Sequence, residues 1–459
     1  MKFTKFGKAL LMGALSAGVV FGISSCVVSY TVGFLYITGT TTAQPSGAGI
    51  INGYTIDHNT GQLASINGLP VASGGANPVR AVLLPGSRFL YVLNRGTSQN
   101  PAGPSICTTA YPCSGANITQ FAVGGNGILT PQETFFTQGV NPFRLISDSG
   151  GTYLMVLDHD APDNYVPTYN PTSNACTLAL GTGVKTCGDV TVFQVQSTTG
   201  RLSLIENQQV TAAGGASITY FPVPANPVDF NLTANSLLTL TGSRTTPYPS
   251  YPYAGGTSVF PYTYNGSSGQ LTLSLNSAQA LGINQGTAMV STSGAFYVLD
   301  NEPPNPNPTG ATSQILPYTL GTNGALQPET SGIIPDDPTL SNPIYVMLES
   351  KSHFLYVANQ GNNILGNNTA SGISGYFITT SPAYQATFIA GQPFGSGAGP
   401  QCIVEDPSNQ FVYTANFNDS TITGHTIDVN SGVLDNLRNT NNYSLPGPAT
   451  WCLIDGRTS

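Results

Sequence analysis

The chain of 459 residues holds 13 Lys and Arg against 21 Asp and Glu, only 7% charged residues, with 53 Gly and 34 Pro. That acidic balance excludes nucleic acid and anionic membrane surfaces as partners. The plentiful aromatic and β-branched residues exclude disorder, and no helical periodicity persists beyond residue 25, which leaves a turn-rich, all-β chain.

Residues 1–25 read as an export signal. Lys2, Lys5 and Lys8 precede the apolar run ALLMGALSAGVVFGI, too short to span a bilayer. The run ends in Ile23-Ser24-Ser25-Cys26, which resembles a bacterial lipobox, so Cys26 is expected to carry the lipid anchor, with 26–33 as a tether. Without the signal, ten basic residues face 21 acidic ones. Setting Cys26 aside, Cys107/Cys113 and Cys176/Cys187 each lie within one loop and read as local disulfides of an oxidising compartment. Cys402/Cys452 is a weaker third pair, with a reduced, buried state as its alternative. The spacing fits no metal site.

From residue 34 to 459 one phrase recurs seven times: FLYITG at Phe34, FLYVLN at Phe89, YLMVLD at Tyr153, LLTLTG at Leu237, FYVLDN at Phe296, FLYVAN at Phe354 and FVYTAN at Phe411. A second phrase usually precedes it: NPVRAVLL at 77, NPFRLISD at 141, NPVDFNLT at 226, QGTAMVST at 285, NPIYVMLE at 342 and GPQCIVED at 399. Its seventh copy, GPATWCLID at 447, ends the chain. Hairpins with Gly turns, such as INGYTIDHNTGQLASI and ITGHTIDVNSGVLDN, follow each copy. The unit is four antiparallel strands, A to D. Seven of them predict a seven-bladed β-propeller closed by N-terminal strands B-C-D and C-terminal strand A.

The A–B and C–D turns are short, whereas the B–C connections at 95–115, 159–188, 242–256, 301–312 and 360–372 are long. Function is therefore expected on the long-loop face. At the axis of that face, the second residue after the Pro of strand A supplies Arg80, Arg144, Asp229, Tyr345 and Cys402. The ends of strand B supply Asn94, Arg95, Asp158, His159, Asp160, Asp300, Glu302, Asn359 and Asn416. Paired guanidiniums can hold a carboxylate or polarise a carbonyl, and a nearby Asp229 or Glu302 can activate water. An ion-pair network tying the blades together is the competing explanation. DHDAPDN at 158–164 lacks the spacing of a cation loop, and no metal or cofactor is expected.

The Pro-headed inner strand, the FLYVAN phrase and the I-D-x-x-S/T-G-x-L hairpin together resemble the seven-bladed, 6-phosphogluconolactonase-like propellers over residues 34–455. The resemblance implies a site at the axial opening and hydrolysis of a sugar lactone. That family typically shows Gly-Pro-Arg-His and Tyr-Val-x-Asn-Glu. Here Asn77-Pro78-Val79-Arg80 and Tyr91-Val92-Leu93-Asn94-Arg95 lack the His and the Glu. The leading expectation is an exported, lipid-anchored, monomeric envelope module that binds a glycan, peptide or protein through its long loops without catalysis. The alternative is a hydrolase or isomerase of lactones or sugar acids at the axial pocket.

Overall fold

Each FLYVAN-type phrase is apolar on both faces because both are covered. In the computed structural model, strand B of every blade lies between neighbouring blades, and copies such as Phe354–Asn359 and Phe411–Asn416 are buried at every residue. The structure describes residues 30–41, 48–86, 88–98, 113–162, 175–181, 184, 186–242, 256–274, 278–292, 294–329, 332–361, 369–379 and 386–456. Cys26 and Cys107 lie outside them, as do large parts of the long B–C connections at 95–115, 159–188, 242–256 and 360–372.

Seven antiparallel sheets follow one another in the order A-B-C-D. The inner strands A are Ala449–Asp455 in blade 1, then Pro78–Leu83, Val140–Ser147, Pro227–Leu232, Gly286–Ser291, Pro343–Leu348 and Pro400–Glu405 in blades 2 to 7. Blade 1 takes strand B (Thr31–Thr40) from the N-terminal side and strand A from the C-terminal end, with Leu35 opposite Ile454. The ring thus closes as the sequence predicts. Outer strand D is three residues long in every blade but the second, and in five blades a second short segment pairs with strand C farther along. Helix among the described residues is confined to Ala175–Leu180 and brief 3-10 turns.

The phrase also joins each blade to the next. Its first aromatic ring packs on the Gly of the following blade's C–D turn: Phe34 on Gly127, Phe89 on Gly200, Phe354 on Gly432 and Phe411 on Gly61. A Cβ at any of these glycines would overlap the ring, and each has positive φ, +67° at Gly61. Two residues on, the Tyr hydroxyl donates to a carbonyl of that same turn: Tyr36 to Gly127 at 2.8 Å, Tyr356 to Gly432 at 2.7 Å and Tyr413 to Gly61 at 2.6 Å, with Tyr91 bonded likewise to Gly200. Tyr413 makes this link across the seam between blades 7 and 1. Blade 4 has Leu238 at the Tyr position and relies on packing there.

Two disulfides are present among the described residues. Cys176–Cys187 closes part of the B–C connection of blade 3, as expected, and Cys402–Cys452 joins the inner strands of blades 7 and 1. The weaker sequence pairing is therefore formed, with its alternative of two reduced thiols set aside. The other expected pair, Cys107–Cys113, is not one of these two bonds, because Cys107 lies outside the described residues. The Cys113 backbone lies opposite Ser98 in a two-stranded ribbon, Thr97–Ser98 against Cys113–Ser114, at the base of the blade 2 insertion.

Candidate functional site at the axial opening

The Asn-Pro phrase has a backbone cause. Asn77, Asn141, Asn226 and Asn342 adopt φ between +52° and +61°, a left-handed conformation that Asn tolerates, and Gly399 does the same at +70°. The carbonyls of Asn77, Asn226, Asn342 and Gly399 then accept the N–H of the residue that follows strand B. A β-bulge comes next in all seven inner strands. A bulge re-aims the side chain beyond it. The residues in that register are Trp451, Arg80, Arg144, Asp229, Ala288, Tyr345 and Cys402, in order from blade 1 to blade 7.

Five of these make contacts at the opening, in two groups. Arg144 Nε donates to Asp229 Oδ1 at 3.1 Å, and the Met289 N–H of blade 5 donates to Asp229 Oδ2 at 2.9 Å. The Arg80 guanidinium lies 3.6 Å from the centre of the Trp451 ring, and the Tyr345 ring stands perpendicular to the same indole with centroids 5.0 Å apart. Burial, and then the neighbouring Arg144, push Arg80 well below its ordinary value, while Asp229 and Tyr345 pull it back up. A side chain of blade 2 that feels charges from blades 3, 4 and 6 stands at the shared opening.

The electrostatic result is a surplus. Two guanidiniums face one carboxylate, and both of its oxygens already accept a hydrogen bond. Burial raises the Tyr345 hydroxyl, so it stays neutral and adds no negative charge. On the same strand face, two residues below the charged level, stand half-buried Val82, Ile146 and Val404, with Val290 at the matching place in blade 5. These side chains pack into the cores between blades, and Asn231 at the same level of blade 4 accepts from Ser291.

The other sequence candidates fall elsewhere. Asn94, Asp158, Asp300, Asn359 and Asn416 are each 0% exposed. They face strand C of their own blade, against an expectation of open binding positions. Asn94 bonds Ser73, Asn117 and Thr119; Asp158 accepts from Thr137 at 2.9 Å; Asp300 accepts from Gln314 at 2.6 Å; Asn359 donates to Ser374 and Asn416 to Thr421 and Thr423. Burial pushes Asp158 up to about 8 and Asp300 up to about 6. Such groups pin the strand ends.

His159 and Asp160 are also buried, with Nδ1 to Oδ2 at 3.4 Å, and Asn141 donates to the same Asp160 oxygen. The His159 ring sits 5.9 Å from Phe143, whose other neighbour is the Arg144 guanidinium at 5.4 Å, so this pair reaches the axial site only through Phe143. The Arg95 backbone N–H donates to Asn77. Glu302 accepts from the Asn284 backbone at 2.8 Å and from its side chain at 3.2 Å, holding the connection into blade 5 rather than joining the arginines. Trp451 escaped the sequence reading because blade 1 lacks the Asn-Pro head. Counting from Pro448 lands on Thr450, which the structure makes the bulge residue itself.

Comparison with known proteins agrees with this architecture. The family described as lactonase, 7-bladed beta-propeller, matches residues 309–450. A candidate 6-phosphogluconolactonase from Bacteroides uniformis superposes with a TM-score of 0.62 at 12% identity, covering 92% of this chain and 99% of its own. A periplasmic gluconolactonase of Pseudomonas aeruginosa gives 0.60 at 14% identity, with 92% and 98% covered. At these identities the structures establish a shared fold. No curated protein sequence matches the chain.

Proposed function

We propose, for a chain that is a seven-bladed propeller of the lactonase type, that the axial opening binds and hydrolyses a small sugar lactone. The observation that carries this is the uncompensated positive charge at Arg80, beside an Arg144–Asp229 pair whose carboxylate is already engaged. A guanidinium held there suits an oxygen that gains negative charge during reaction. Water adds to the lactone carbonyl, and Arg80 and Arg144 stabilise the resulting oxyanion. Asp229, which keeps free lone pairs on both oxygens, orients the water and takes its proton. The ring C–O bond then breaks, the leaving alkoxide takes the proton held by Asp229, and the product carboxylate remains against the arginines.

Gluconolactonase and 6-phosphogluconolactonase are what the two structural neighbours are named for, and their chemistry agrees with such a site. Binding of a glycan or protein through the long B–C loops has no support among the described residues. The two disulfides fit an oxidising compartment outside the cytosol. An anchor at Cys26 is how we propose the protein is retained there, and Cys26→Ala is expected to release it from the membrane fraction.

The test of the reaction is a pH-stat assay on aldono- and phospho-lactones, with Arg80→Ala/Arg144→Ala alongside. Turnover is expected to fall in the variant by about two to three orders of magnitude, the scale of losing an oxyanion donor. Wild-type turnover no faster than spontaneous opening, or a variant as fast as wild type, would sink the proposal.

A further inference from the structure

Trp451 is the chain's only tryptophan and lies on the inner strand where the two chain ends meet. It holds Arg80 in two ways. Its face carries the guanidinium at 3.6 Å, and its indole N–H donates at 3.1 Å to the carbonyl of Ala81, the residue after Arg80. Its own position is fixed from the side of blades 6 and 7. Tyr345 packs perpendicular to it, and the next residue, Cys452, is bonded to Cys402, with Cα atoms 6.0 Å apart. Both cysteines are buried, at 0% and 1% exposure. In blade 7, Cys402 occupies the register that Arg80 occupies in blade 2, so the disulfide lies at the same level of the opening.

This arrangement answers a physical problem. Asp229 attracts Arg80 across the axis, and an unrestrained guanidinium would move towards it beside Arg144. The surplus charge would then be spread over a shared three-membered ion pair. The Trp451 face offers the guanidinium an alternative seat that takes up none of its positive charge. We infer that Trp451 is a positioning residue which, braced by the Cys402–Cys452 bond, holds Arg80 away from Asp229 and open to an oxyanion. The inference rests on the reading of the axial opening as an oxyanion site, and it identifies the seam of the ring as part of that site.

A single indole makes the test direct. Excited selectively in the full chain, Trp451 reports its own contact with Arg80. Arg80→Ala is expected to change the emission intensity. Cys402→Ala/Cys452→Ala is expected to move the emission in the same direction with the far-ultraviolet dichroism unchanged. Calorimetric titration with gluconate and with inorganic phosphate supplies the second readout. Trp451→Leu is expected to weaken binding about tenfold, and Trp451→Phe to recover part of it because an aromatic face remains.

Trp451→Leu binding both probes as tightly as wild type would overturn the inference, as would an emission indifferent to Arg80→Ala. Wild-type protein that binds neither probe would overturn the oxyanion reading instead, and the emission comparison would still decide whether Trp451 seats Arg80.

Discussion

Asp158 and Arg80 show how much a side chain's surroundings matter in a chain with so few charges. Asp158 is fully buried and Arg80 partly so, and desolvation moves each towards its neutral form, Asp158 up to about 8 and Arg80 downward. Their company differs. Asp158 faces Thr137 and Thr191, with Asp189 opposite it on strand C and Asp160 close by, so like charge adds to burial. Arg80 faces an indole and an open channel mouth. The first is a structural group that prefers to be protonated, and the second is a cation lacking an anion. The sign for Asp158 follows from linkage. Its folded value lies above its unfolded one near 4, so the folded state binds the extra proton between those limits. Its contribution to stability is complete below about 4 and is lost as pH rises through about 8. Asp158→Asn mimics the protonated form and is expected to flatten that decline, leaving the variant on the order of 1–3 kcal/mol more stable than wild type at pH 8.5. Denaturant titrations at pH 5 and pH 8.5 measure it. An equal pH dependence in both proteins would show that Asp158 does not ionise in this window.

At the scale of the strand, the recurring phrase combines a covered core strand with a link to the next blade. Removing the Tyr413 hydroxyl isolates the link. Tyr413→Phe keeps the ring on its neighbours and loses only the bond to the Gly61 carbonyl, so about 1 kcal/mol of stability is expected to go. A loss below a few tenths of that in chemical denaturation would mean that water replaces the hydroxyl at the seam. The blade count, the strand pairs and the ring closure were legible in sequence because each rests on local signals: apolar runs, Gly turns and an Asn-Pro head. Arg80, Arg144 and Asp229 were legible for the same reason, being fixed by a bulge that the Pro marks. The strand-B ends were not. A polar residue such as Asn94 or Asp300 looks the same in a strand whether it faces a channel or the partner strand, and Asn117 and Gln314, which take up these two, come from strand C across a long insertion. Glu302 follows strand B within a connection whose path the sequence does not specify. Trp451 was hidden because the bulge of blade 1 follows no Asn-Pro signal.

For the whole molecule, every blade but one is a single run of chain, and blade 1 alone draws its strands from both ends. Within blade 1 the junction of strands A and B has no chain across it, so the ring closes there by contacts alone. Strand A of blade 1 reaches its partner Thr31–Thr40 only by hydrogen bonds, and Cys402–Cys452 ties that strand to blade 7. With the cysteines 50 residues apart in sequence, the chain-entropy argument assigns the bond about 4 kcal/mol, before any change in native packing. The location matters as much as the size. A ring that opens at its seam does so by fraying from the C-terminal end, a sub-global event below the cost of full unfolding. Cys402→Ala/Cys452→Ala is therefore expected to speed hydrogen exchange first at Ala449–Asp455 and at its partners in Thr31–Thr40. The matching inner strand Pro343–Leu348 of blade 6 should change much less under native conditions. Equal acceleration at both strands would mean that the bond stabilises the ring globally and that the seam has no separate opening. Preferential acceleration at Ala449–Asp455 would show Trp451 to be carried on the strand most easily released, so that closing the ring and setting Arg80 in place are one structural event.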